Sequence, residues 1–114
     1  MTYPLIFYTD NLPEWMGGCA NGPVIRIRPK YKYDAGILKH ELQHVKQWFA
    51  TLGLHSLLYL VSKRYRQWAE VQAYRAQMRW PDRNGYCMDI DYAAELLATK
   101  YDLGISTDEA KELL

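Results

Sequence analysis

"LKHELQHVKQW", residues 38–48, places His40 and His44 one helical turn apart, with Glu41 directly after the first. Projected at about 100° per residue, residues 37–52 divide into three sectors. Leu38, Leu42, Val45, Phe49 and Leu52 make an apolar stripe, and His40, His44, Ile37, Glu41 and Trp48 fall on the sector beside it. Lys39, Gln43, Lys46 and Ala50 lie opposite, where they should meet water. The two imidazoles therefore point together beside the core. Histidines at i and i+4 can both reach one ion through neutral ring nitrogens, so the spacing suits zinc. Glu41 projects to the side, where it can take a proton from water at an open position of the metal and act as general base. With three His and six Glu in 114 residues, random order would place this motif somewhere with a probability of roughly 0.4%.

A catalytic zinc site has three protein ligands and one open position. The extended pattern, with a glycine three residues after the second histidine and another histidine three beyond that, is excluded by Gln47 and Ala50. Two candidates remain for the third ligand. His55 follows the Gly53 stop and would have to curl back. Glu70, in "WAEVQAY", is the better one. It shares a helix face with Ala73, Tyr74 and Gln77, and Ala69, Ala73 and Ala76 form a strip of small residues that lets a neighbouring helix approach closely.

"HELQHVKQW" followed by "AEVQAY" resembles the pair of active-site helices in minimal gluzincin-type zinc metallopeptidases, among them short proteins encoded in bacteriophage genomes. The resemblance covers residues 23 to 80. It implies a zincin-like fold in which His40, His44 and Glu70 hold Zn2+ and Glu41 is the general base. It also implies a peptide or protein substrate and hydrolysis of its amide bond. The asparagine that thermolysin-like enzymes carry before the third ligand is Ala69 here. Tyr74, one turn after Glu70, is a candidate oxyanion stabiliser, as are Tyr31 and Tyr33. Two other functions share these residues: a zinc-stabilised interaction or assembly module without catalysis, and a hydrolase acting on a non-peptide amide. An open fourth coordination position favours catalysis, and a fourth protein ligand favours the staple.

Before this helix the chain reads as extended. "PLIFYT" at 4–9 and "VIRIR" at 24–28 are rich in β-branched and aromatic residues, and Ile25 and Ile27 alternate with Arg26 and Arg28. The spacing predicts a small sheet of two or three strands, with "MGGCANGP" at 16–23 a turn or irregular loop. By the same gluzincin resemblance, "VIRIR" matches the edge strand that precedes the active-site helix, where a peptide could pair with it as an added strand. The active-site helix should start at an Asp34 cap and stop at Gly53. A second helical stretch spans 56–80, with a break near Ser62, and ends before Pro81. Helices over 88–101 and 106–114 follow, the last opened by a capping box of Ser106 and Glu109. The fold class is thus α+β, a single domain over residues 1–114.

Composition narrows the function. A hydrophobic fraction of 49%, a charged fraction of 24% and a net charge of +1 suit a globular protein and give no basic field for nucleic acid. Lys30, Lys32, Lys63, Arg64 and Arg66 read as solvated faces. Cys19 and Cys87 are too few for a disulfide scaffold and read as free thiols in a reducing compartment. No secretory signal opens the chain, and the longest apolar run, "LLYLV" at 57–61, is far short of the roughly 20 residues that span a bilayer. A cytoplasmic protein with no membrane partner is the expectation.

Overall fold

Strand formation starts with the alternation at Val24–Ile27. In a computed structural model, which describes residues 4–114, this segment is the central strand of a three-stranded sheet with the order β1-β3-β2. Leu5–Tyr8 (β1) pairs parallel to Val24–Ile27 (β3), with Leu5 opposite Val24 and Tyr8 opposite Ile27. Gly18–Asn21 (β2) pairs antiparallel to β3, with Gly18 opposite Ile27 and Asn21 opposite Val24. The hairpin between β2 and β3 turns at Gly22, whose φ of 61° suits glycine. Two expectations are corrected here. "VIRIR" is the centre of the sheet and not its edge, and the 16–23 stretch contains an edge strand. Ile25 and Ile27 are fully buried on one face, so β3 gains most from neighbours on both sides.

The other face of β3 carries the two arginines. Arg28 donates to the carbonyls of Leu12, Met16 and Pro13 at 3.1, 2.7 and 2.7 Å, which fastens the β1–β2 connection to the sheet through charge-assisted bonds.

Beneath the sheet lies Ala35–Ala50 (α1), opened by Asp34, whose side chain accepts from the Ile37 N–H at 2.9 Å. Ile25, Ile27 and Val45 form a core with Ile37, Leu38 and Leu42. The apolar stripe of α1 therefore meets the sheet only along its first part. Phe49 is 49% exposed and Leu52 is 92% exposed. The helix also buries a polar sector, His40, Glu41, His44 and Gln47, and that sector faces the candidate site. Leu52 and Gly53 both take positive φ, reversing the chain into His55–Val61 (α2).

The break expected near Ser62 is present: its hydroxyl accepts from the Tyr65 N–H at 3.1 Å and caps Lys63–Met78 (α3). Helices α1 and α3 pack along Ala69 and Ala73, both fully buried. The start of α1 also lies close against the end of α3 and the residues just past it. A Cβ on Gly36 would stand 2.9 Å from the Trp80 carbonyl oxygen. Ile90–Lys100 (α4) and Thr107–Leu113 (α5) close the domain. They build a second core of Val71, Tyr74, Ala93, Ala94, Leu97, Leu103 and Ala110. The Ser106–Glu109 capping box forms as expected.

Candidate metal centre

Helical periodicity brings His40 and His44 onto one face of α1, and the alanine strip of α3 lets Glu70 reach them. The Nε2 atoms of both histidines lie 3.3 Å from one oxygen, Glu70 Oε1. All three side chains are buried, Glu70 to 3% exposure, and one ligand atom from each lies within 4.8 Å of the others. Oε1 has no hydrogen-bond partner among the described residues. The 3.3 Å contacts are therefore a convergence of donor atoms without hydrogen-bond alignment. A tetrahedral ion bound at about 2.05 Å separates its ligand atoms by roughly 3.3 Å. The residues fit a metal: two imidazole nitrogens, one carboxylate, and two nitrogen–oxygen edges of the right length.

The surrounding shell sets each ligand. Tyr59, on α2, donates from its hydroxyl to Glu70 Oε2 at 2.6 Å, which leaves Oε1 turned to the histidines. Gln47 donates from Nε2 to the Ala69 carbonyl at 3.1 Å, so its Oε1 is the atom 2.9 Å from His44 Nδ1 and must accept there. In its neutral form His44 is then the Nδ1–H tautomer, which presents the Nε2 lone pair to an ion. His40 has no such partner at Nδ1 among the described residues. Its ring is held edge-to-face against Tyr74, with centroids 4.5 Å apart.

Charge in the metal-free cluster is tightly balanced. Burial opposes the charged form of His44, but the Glu70 carboxylate beside it outweighs this and raises the ring to about 9. Burial opposes the Glu70 carboxylate in turn, and His44 and His40 outweigh it, holding that carboxyl well below the usual carboxylate range. Glu41 behaves differently. Burial pushes its carboxyl up, with His40 and His44 only partly offsetting the effect and Glu70 adding to it. Glu41 makes no ion pair or hydrogen bond within the described residues and lines a cleft of about 590 Å³ together with His40, His44 and Glu70.

The opposite wall of the cleft is β2, from Gly18 to Asn21. A Cβ on Gly18 would stand 3.3 Å from Glu41 Cγ and 3.2 Å from Ile37 Cγ2. Glycine thus lets the free edge of the sheet pass directly over the glutamate. Aromatic side chains, including Trp15, Tyr31, Trp80 and Tyr86, line much of the remainder.

Of the candidates read from sequence, His40, Glu41, His44 and Glu70 come together. Tyr74 also reaches the cleft, but its hydroxyl lies 2.6 Å from that of Tyr101. His55 is not among the converging ligand atoms. It packs with its ring centroid 5.7 Å from that of His44, and its Nδ1 lies 2.7 Å from the Tyr65 hydroxyl. Both cysteines are free, and both border the cleft. Sequence reasoning passed over Tyr59, Gln47 as a partner of His44, and Gly18. A signal existed for Gln47, which lies one turn after His44.

Fold and site together define an α+β domain with a buried His-His-Glu cluster able to hold a metal ion. No protein-family model, curated protein or solved structure matches the chain, so the functional reading rests on this geometry and on the resemblance of its motif.

Proposed function

We propose that the protein is a zinc-dependent peptidase of the gluzincin type. The observation that carries this reading is the meeting of both Nε2 atoms with Glu70 Oε1, beside a second buried carboxylate, Glu41, which opens onto the same cleft. His40, His44 and Glu70 would hold the zinc, which would supply a Lewis acid and a more acidic water. Glu41 takes a proton from the attacking water as its oxygen bonds to the scissile carbonyl carbon. It then passes that proton to the amine as the C–N bond breaks. A carboxyl raised by burial suits the first task, because it holds a proton more tightly than a free carboxylate does.

The substrate is an extended peptide, paired backbone to backbone with the free edge of β2. This edge replaces "VIRIR", whose two sides are both occupied within the sheet. Tyr74, which lines the cleft, would hydrogen-bond the developing oxyanion on turning its hydroxyl from Tyr101. Catalysis is favoured over a structural staple because the cluster has three ligand side chains among the described residues, which leaves a fourth position open. The reading is tested by zinc analysis together with Glu41→Gln. One zinc per chain, hydrolysis of an unstructured protein substrate, and loss of that hydrolysis with zinc retained are the expected results.

A further inference from the structure

Helix α2 presents two unlike faces. His55 and Tyr59, four residues apart, turn inward to the cluster. Leu57, Leu60 and Val61, at i, i+3 and i+4, turn outward, continuing a ridge that begins at Leu52 and Leu54 in the preceding turn. These five apolar side chains are all more than half exposed, with Leu60 at 76% and Val61 at 68%. A soluble surface scatters single apolar residues, whereas five within ten positions along one ridge mark a contact surface.

Charge identifies the occupant. Between Glu41 and Glu70 the chain has no acidic residue but carries Lys46, Lys63, Arg64 and Arg66. Lys63 and Arg64 follow the ridge after Ser62, are exposed, and make no ion pair among the described residues. We infer that the Leu52–Val61 ridge and the adjoining Lys63 and Arg64 form a docking surface for an anionic lipid bilayer. The leucines would enter the headgroup–acyl boundary while the basic side chains stay at headgroup level. No helix among the described residues is long and apolar enough to cross a membrane, so the contact is interfacial. A second copy of the chain is a poorer occupant. Residues 42–69, which hold the ridge, offer a facing copy basic side chains and no carboxylate. The ridge also protrudes at a tight turn, with Leu52 92% exposed, a shape that suits insertion. Leu60 borders the cleft as well, so docking would bring the cleft mouth to the bilayer.

This inference holds whether or not the cleft hydrolyses peptides, and its test uses no activity. The full chain is sedimented with vesicles of phosphatidylcholine alone and of equal parts phosphatidylcholine and phosphatidylglycerol, at low salt and at about 0.5 M salt. Association with the anionic vesicles, weakened by salt and by neutral lipid, is expected. Lys63→Gln with Arg64→Gln should weaken it roughly thirtyfold, for two basic side chains at an anionic surface. Leu57→Gln with Val61→Gln should weaken it at least about tenfold. All four side chains are exposed, so each variant should melt with the wild type. Three results would overturn the inference: no association of wild-type protein with anionic vesicles, undiminished association of the Leu57/Val61 variant, or a concentration-dependent dimer that the same variant abolishes.

Discussion

Tyr59 donates a 2.6 Å hydrogen bond to Glu70 Oε2, and so decides which carboxylate oxygen faces His40 and His44. The bond ties α2 to α3 at the point where the cluster needs a single oriented donor. Tyr59→Phe should therefore retain one zinc per chain but weaken it about tenfold to a hundredfold, the usual cost of losing an outer-shell partner. Glu70→Ala should lose zinc far more severely. Competition with a chromophoric chelator gives both affinities, and equal zinc binding by wild type and Tyr59→Phe would remove the tyrosine from the site.

Gln47 bridges His44 and the Ala69 carbonyl, joining α1 to α3 just behind the cluster. In Gln47→Leu the Ala69 carbonyl keeps its helical donor within α3, but the buried His44 Nδ1–H loses the acceptor that fixes its tautomer, a loss of about 1–3 kcal/mol. Both a lower Tm and an approximately tenfold weaker zinc affinity are expected. Calorimetry and zinc titration on the same samples separate the two effects.

Glu41 is buried without a partner, so its charge costs stability in the metal-free protein. Glu41→Gln should raise the Tm of that form while reducing hydrolysis by several orders of magnitude, with zinc retained. A purely structural glutamate would show the opposite, a lower Tm on substitution. His55→Ala and Cys87→Ser serve as controls and should keep zinc affinity within about threefold, since neither is among the three converging ligand side chains.

The metal-free cluster also has a pH signature. His44 is raised from 6.5 to about 9, so its ion pair with Glu70 adds stability that is complete below about 6.5 and is lost as the pH rises through about 9. Glu70 is shifted the other way, and its contribution is present above its ordinary value of 4.5 and is lost as the pH falls toward its lowered one. Glu41, His40, Tyr59 and His55 also face His44. Chelator-treated protein should therefore lose at least about 4 °C of Tm between pH 7 and pH 10, the change that about 1 kcal/mol makes in a domain of this size. Glu70→Gln should flatten that slope. A flat profile in the unsubstituted protein would contradict the pairing.

The helices were legible because their signals are local. Asp34, Ser62, Ser106 and Glu109 cap where their side chains lead one to expect, and the 3.6-residue period alone sets His40 and His44 on one face. Glu70 could be chosen because small residues on α3 advertise close packing. Strand order was not legible. Whether "VIRIR" lies at an edge depends on a pairing with Leu5–Tyr8, distant in sequence, and β2, GCAN, reads as a turn partly because Gly18 is needed where the strand passes over Glu41. Tyr59 was hidden among ten tyrosines, since its role depends on the angle between α2 and α3. The outer end of the α1 stripe, Phe49 and Leu52, looked like core by periodicity but extends past the sheet that would have covered it.

The convergence of His40, His44 and Glu70 on one ion is the central claim, and X-ray absorption at the zinc edge on zinc-loaded protein tests it most directly. Two imidazole nitrogens and one carboxylate oxygen, with a light-atom donor in the fourth position and all at about 2.0–2.2 Å, are expected at one zinc per chain. Folded protein that takes up no zinc, or a sulfur shell at about 2.3 Å bringing Cys19 or Cys87 onto the metal, would contradict it.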